Sequence, residues 1–422
     1  MSLSSSCRPR TQHRRPSALA IRRLSAAVIA GLLVLLAAPP DLLTAHADAG
    51  LEAGAAHRAR SQSFTIETLP PIYQPGERTA SSSRALSVVV ATFYPARVGR
   101  SIVLERRTHH GWRPRATVLT NTDGRAEFFV PVAGNRLATY RAVAGSFRGL
   151  REKSTTPFAA HTWSDADFSD EFSGTGLSAA WEHRIQFYNP WGGRACSKGS
   201  PAAVAVADGA LHLSSMLDPT VAELCTATDQ EGNVFGQYPY RLNGHISTQH
   251  AADFLYGVGA ARMKFQRDPG AHVAFWLQPR GLLTTGPTPW GAEIDVIEWY
   301  GSHNGRGRMS STVHAPLPNG EKFQLGGSVA KPDQYLLTRS DSWWRRYHVF
   351  SVQWTPTEYV FRISGHEVWR TDQGVSHDPE FLILSMLSSD FELPTLGARE
   401  SSPQTASVDW VKFWQTEPPA IP

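Results

Sequence analysis

The stretch Glu293-Ile294-Asp295-Val296-Ile297-Glu298 alternates acids with β-branched residues, and the spacing of its acids decides how it must fold. Ile and Val favour a strand, where residues i, i+2 and i+4 share a face. Glu293 and Asp295 therefore point together, and a regular strand would turn Glu298 to the opposite side. A β-bulge at Val296 or Ile297 returns Glu298 to the acidic face. With that bulge the two glutamates lie four ladder positions apart, about 13 Å along the backbone, and each side chain can lean inward by several ångströms. Their carboxylates then approach the roughly 5 Å separation at which one carboxylate attacks a sugar while the other donates a proton. Three acids on one face repel each other and are costly to bury, an arrangement that drives carboxyl pKa values apart. A solvent-facing acidic strand is the plain alternative, and the flanking Ile294 and Trp299 argue against it.

Beyond this strand, short apolar runs recur without any helix-length amphipathic pattern, so the fold class is all-β. They include Ala202–Val206, Ala210–Ser214, Gly244–Gln249, Gly257–Phe265, His272–Gln278, Ser310–His314, His348–Trp354, Tyr359–Ile363, Phe381–Leu387 and Ser407–Trp414. Two stacked antiparallel sheets are the economical architecture, with the concave face of a curved sheet forming a groove. Trp343, Trp354 and Trp410 read as core. Upstream, Leu86–Phe93, Ser101–Arg106, Ala116–Thr120, Ala126–Pro131 and Thr139–Ala144 are separated by turn signals such as Asp123-Gly124 and Gly134-Asn135. Such runs predict a small β-sandwich over 64–158, ahead of a larger domain over 159–417.

The N-terminus carries Arg8, Arg10, Arg14, Arg15, Arg22 and Arg23, an apolar run from about Ala26 to Ala38, and then Ala45-His46-Ala47. This reads as a signal peptide over 1–47, through either the general or the twin-arginine route, followed by a linker over 48–63. The expected product is exported and soluble. The formal charge of +4 belongs largely to this leader. Residues 48–160 hold sixteen Arg/Lys against eight Asp/Glu, whereas residues 161–422 hold nineteen against twenty-eight. That asymmetry predicts two modules with different surroundings, and the basic one could make weak contact with anionic cell-wall polymer. No nucleic-acid-binding motif accompanies the arginines. Cys196 and Cys225 remain after loss of Cys7, an even pair expected to form a disulfide in an exported chain; two separately buried thiols are the alternative.

Read in order, FSDEFSG with Trp181, VADGALHLSS, YRLNGHIST, YGVGAARMKF, HVAFWLQP, EIDVIEWYG, STVHAP, YHVFSVQWTPTEYVFRISGHEVWR and VDWVKFW resemble glycoside hydrolase family 16, of the bulged, laminarinase-like bacterial type. The earlier stretch GRSIVLERRTHHGWRPRATVLTNTDGRAEFFVP, with TYRA, resembles immunoglobulin-like accessory modules more diffusely, through its turns, Trp112 and Tyr140. The family resemblance implies a concanavalin-like jelly roll, with Glu293 as nucleophile, Glu298 as acid/base and Asp295 as the neighbour that sets the nucleophile's charge. It also implies sugar stacking on Trp276 and Trp290 and a role for His314 near the cleavage point. The segment Arg184–Trp191, with Tyr188 and Asn189, could border the groove. No cofactor is required; a structural calcium held partly by Glu171 and Asp409 is the one metal the resemblance allows.

The implied substrate is a β-1,3- or mixed β-1,3/1,4-glucan, cut internally with retention by a monomeric enzyme. Ala292 between Gly291 and Glu293, the segment Gly281–Pro289 and FLILSMLSSDFELP depart from the commoner family pattern and leave the sugar open. Transglycosylation through the same intermediate is a rival. A non-catalytic polysaccharide-binding protein is the rival from another class, and its usual sign, loss of a glutamate, is missing here.

Overall fold

The computed structural model describes residues 61–132, 138–159, 163, 165–229, 231–280, 291–303, 306–316, 322–397 and 401–416. Every helical turn among them is a short 3-10 piece, and the rest of the regular structure is strand. The expected signal peptide, most of the linker, the Gly134-Asn135 turn, the segment Gly281–Pro289 and Trp290 fall outside the described residues.

The N-terminal sandwich pairs Ser63–Tyr73, Leu86–Tyr94 and Arg125–Pro131 in one sheet. Its second sheet contains Gly111–Leu119, Ser101–Thr108, Thr139–Ala144 and the two-residue strands Lys153–Ser154 and Phe158–Ala159. Alternate residues of the two sheets, including Val89, Ala91, Phe93, Phe128, Leu104 and Ala142, form its core. The first strand was hidden in the sequence by Pro70 and Pro71. It is an edge strand with register shifts at Leu69/Pro71 and Pro71/Tyr73, where missing amide donors cost little.

The larger domain is one continuous antiparallel ribbon folded into a jelly roll. Its front face runs Lys322–Ser328, Arg306–Pro316, Glu293–His303, His272–Pro279, Glu380–Leu387 and Arg241–Ser247. The ribbon continues through Ala210–Leu217 to the back strands Gln404–Gln415, Gly257–Lys264, His348–Trp354, Tyr359–Ile363 and His366–Thr371. Val273, Phe275, Ile294, Trp299, Leu384 and Phe350 are among the side chains that meet between front and back. Trp343, Trp354 and Trp410 are buried, as expected. The Lys322–Ser328 strand escaped sequence reading because Gly326 and Gly327 dilute its apolar pattern at the sheet edge.

The two sandwiches share a third apolar core. Leu69, Ile72, Val88 and Val90 pack against Val258, Ala260, Val349, Trp410 and Trp414. The latter residues project from the back sheet on the side away from the jelly-roll interior. Polar contacts frame this patch: Gln74 Oε1 accepts from Trp410 Nε1 at 2.7 Å, Gln353 Nε2 donates to Glu67 Oε1 at 2.6 Å, and His366 Nδ1 lies 2.8 Å from Glu127 Oε2. The modules expected to have separate surroundings thus cover one another, and both faces of the Gly257–Lys264 strand are buried.

Candidate active site

Neighbouring strands on the front sheet fix which side chains line the face turned away from the core. Val273, Phe275 and Leu277 enter the core, so Trp276 and Gln278 face outward. Leu382, Leu384 and Met386 do the same on the next strand and leave Ser385 outward. On Arg306–Pro316, Met309, Val313 and Ala315 point in while Ser310, Thr312 and His314 point out. The acidic strand obeys this alternation except at one place. Val296 and Ile297 both enter the core, and the register slips between Asp295↔Thr312 and Glu298↔Ser310. On the other side the slip falls between Phe275↔Ile297 and Trp276↔Asp295. This is the bulge that the spacing of the acids demanded, and it places Glu293, Asp295, Glu298 and Tyr300 on one face.

Each acid has its own partners. Glu293 Oε2 accepts from Gln278 Nε2 at 3.2 Å. Asp295, only 6 % exposed, lies 3.3 Å from His314 Nε2 through Oδ2. Glu298 accepts from the Tyr300 hydroxyl on Oε1 and from Ser310 Oγ on Oε2, each at 2.9 Å. Burial, followed by the charges of Glu298 and Glu293, pushes the Asp295 carboxyl up to about 7 against the opposing pull of His314. The hydrogen bond to Asp295 raises His314 in turn. Desolvation, reinforced by Glu298, raises the Tyr300 phenol and keeps it a donor.

Trp276 stands beside these groups, half-buried, opposite Asp295 in register. Its Nε1 donates to Ser385 Oγ at 3.1 Å, and its ring stacks on His245 with centroids 6.1 Å apart. Burial holds the His245 imidazole well below its ordinary pKa, and nearby Arg184 and Arg194 add to that effect. A cavity of about 300 Å³ opens over Glu298, Tyr300, Ser310, Thr312, His314 and Gln324. A second, of about 130 Å³, continues past Tyr300 and Arg308 to the half-exposed Phe391.

The Arg184–Trp191 segment divides between two tasks. Arg184 is buried under Trp276, whereas Trp191 is 90 % exposed on a turn closed by Asn189 Oδ1, which accepts from Gly192 N. Tyr188 is tied to Asp218 at 2.7 Å. Cys196 and Cys225 form the expected disulfide, and Asp390 accepts from the Ala195 and Cys196 amides next to it. Gln278, Tyr300 and Ser310 were missed in the sequence, although each lies two residues from a singled-out residue or in its outward register. Arg184 opens the segment expected to border the groove, and it reaches the site from a loop.

Two groups of side chains offer oxygen or nitrogen atoms to a metal ion. Ligand atoms of Glu293, Asp295 and His314 lie within 4.8 Å of one another, but the His314–Asp295 hydrogen bond engages two of the three with each other. The Glu171 and Asp409 expectation needs correction. Asp409 pairs with the Arg262 guanidinium and accepts from Ala80 N, while Glu171 accepts from Ser82 N and Ser82 Oγ. Arg262 supplies the positive charge there, and backbone from the N-terminal sandwich supplies the donors. The carboxylate oxygens a calcium ion would need are already engaged.

Residues 214–411 match the family model described as Glycosyl hydrolases family 16. A curated relative, the endo-1,3-1,4-β-glycanase EglC of Rhizobium meliloti (strain 1021), is 24% identical over 181 residues, which are 43% of this chain and 34% of that protein. The chain thus spans about a third of that relative's length. Among solved structures, the laminarinase catalytic domain from Thermotoga maritima MSB8 aligns at 17% identity and TM-score 0.46, covering 61% of this chain and 100% of that one. The endo-β-1,3-glucanase from Pyrococcus furiosus aligns at 18% identity and TM-score 0.45, covering 60% of this chain and 95% of that one. The match to the family model lies wholly within the jelly-roll domain and includes the acidic strand, and it covers just under half of the chain.

Proposed function

We propose that this protein is an exported, retaining endo-glycosidase that cleaves internal β-linkages of a β-1,3- or mixed β-1,3/1,4-glucan. The observation that carries the reading is the bulge at Val296 and Ile297, which brings Glu298 onto the face of Glu293 while giving the two carboxylates different partners. Glu293 adds to the anomeric carbon as Glu298 passes its proton to the departing glycosidic oxygen. Glu298 then takes a proton from water, whose oxygen attacks the same carbon and releases Glu293. Hydroxyl rotors on Tyr300 and Ser310 can serve Glu298 in both protonation states, since each oxygen donates or accepts after rotation. Asp295, paired with His314, limits the negative charge that Glu293 must face.

Sugar rings stack on Trp276, with His314 and Trp290 as further binding residues. The N-terminal sandwich keeps its exposed Arg107, Arg113 and Arg115 free for anionic wall polymer while its other face covers the jelly roll. Export proceeds by the leader over 1–47. The test is reducing-end release from laminarin, lichenan, agarose, carrageenan and xyloglucan by the mature protein and by Glu293→Gln. Release from laminarin or lichenan with a β-configured first product, lost in the variant, is the expected result. No release from either glucan by the folded wild type would overturn the proposal.

A further inference from the structure

Arg184 occupies an unusual position for a cation. Its residue is 7 % exposed, and its guanidinium carbon lies 5.6 Å from the centroid of Trp276 and 5.1 Å from that of Phe381. Two aromatic faces thus replace most of its water shell. Among the described residues no carboxylate lies within ion-pair distance of it, and its Nη1 has no hydrogen-bond partner. Such a burial is costly unless the charge acts on something. Among the described residues its one side-chain hydrogen bond runs from Nη2 to Gln278 Oε1 at 3.0 Å.

That bond settles the orientation of the Gln278 amide. A guanidinium has only donors, so the amide oxygen must face Arg184 and the amide nitrogen must face the other way. There, Nε2 meets Glu293 Oε2 at 3.2 Å. The reversed amide would place oxygen against carboxylate and nitrogen against guanidinium, two repulsive contacts. We infer that Arg184 is a positioning residue for the reaction proposed above: through Gln278 it holds one oxygen of Glu293 in place on the face shared with Asp295 and Glu298.

The electrostatics agree with this geometry. Burial lowers Arg184 to about 10, and the charges of Glu182 and Glu293 oppose that fall, so it stays cationic throughout the neutral range. An ionised Glu293 is what the first displacement consumes, because attack turns its charge into a neutral ester. Tethering Oε2 leaves the other oxygen as the attacking atom. The inference rests on Glu293 being the nucleophile, yet the coupling between Arg184 and Glu293 can be read without any substrate.

The experiment combines that direct reading with kinetics. The Glu293 carboxyl is titrated by NMR in protein carrying side-chain-labelled glutamate, its signal assigned by loss in Glu293→Gln. Gln278→Met removes the donor with little change in volume, and Arg184→Met removes the charge. Each should raise the Glu293 titration midpoint by about one unit, and the double variant should fall short of the sum of the two, because the direct attraction between Arg184 and Glu293 survives Gln278→Met whereas the relay is lost in either variant. On the glucan that the wild type cleaves, the acidic limb of kcat/KM should move by the same amount, with kcat reduced and KM within about twofold. An unmoved Glu293 midpoint in a folded Gln278→Met protein would overturn the inference, as would shifts that add in the double variant. If no glucan is cleaved at all, the catalytic reading falls while the titration still decides the relay.

Discussion

Replacing Asp295 by Asn should make the protein more stable at alkaline pH and less active. Asp295 is buried, and its carboxyl is raised from 3.8 to about 7. An acid raised on folding binds more protons in the native state than in the unfolded chain between those two values, so stability falls as pH rises through that window. His314 acts in the same direction: its raised value contributes stability that is present below the unfolded pKa and is lost as pH rises through the folded one. The wild type therefore loses on the order of 4 kcal/mol between about pH 4 and pH 8 through this pair, at 1.36 kcal/mol per unit of the Asp295 shift. Asn has no proton to lose and gives His314 no anion to pair with. Urea unfolding followed by tryptophan fluorescence should give nearly equal stabilities for wild type and Asp295→Asn near pH 4. The variant should lead by a growing margin up to pH 8, while glucan cleavage falls. Parallel stability curves for the two proteins would refute the reasoning, for they would mean that Asp295 ionises in the native state as easily as in the unfolded chain.

Glu298→Gln should lose roughly 10²- to 10⁴-fold on polysaccharide, where the departing sugar needs its proton, and far less on an aryl glycoside with a good leaving group, as a comparison of the two initial rates would show. Deleting Val296 removes the extra residue of the bulge, so Ile297 keeps the inward place and Glu293, Asp295 and Glu298 stay on one face; the variant should melt lower for the lost apolar burial yet keep its acids together, and complete loss of activity from a folded deletion variant would contradict the register. A chain starting after the N-terminal sandwich should aggregate on expression, since it exposes Val258, Ala260, Val349, Trp410 and Trp414 together. Solubility of the truncated chain, measured beside the mature protein, checks this.

The site was more legible in the sequence than the assembly around it. Glu293, Asp295 and Glu298 announce their common face because a five-residue offset violates a period of two, and only a bulge repairs it. Trp276 and His314 came from the family resemblance, and both lie in the outward register of their strands. Arg184 was reached only as the start of a segment that could border the groove, because a loop residue has no period and its neighbours Ile185 and His183 say nothing of where the guanidinium goes. Trp290 remains a sequence expectation. Glu171 and Asp409 were chosen as oxygen ligands, but a residue type cannot reveal that Arg262 and the amides of Ala80 and Ser82 reach those oxygens first.

The same limit explains why the two sandwiches looked separable. A strand covered on one face alternates, whereas Gly257–Lys264 reads GVGAARMK and is buried along nearly its whole length. Small residues there admit a second layer: Val258 and Ala260 meet the N-terminal sandwich, and Ala261 and Met263 meet the jelly-roll core. Gly365 shows how close the layers come, since a Cβ at that position would meet Val88 at 2.7 Å and Phe129 at 2.8 Å, with a φ of +75° that already favours glycine. Arg262, from the same strand, bonds Gln74 and Arg78 backbone oxygens as well as Asp409, so the one buried cation of the back sheet that pairs with Asp409 is satisfied only when the N-terminal sandwich is in place. The basic module is therefore part of the jelly roll's packing, and any contact it makes with wall polymer must use the faces that this packing leaves exposed.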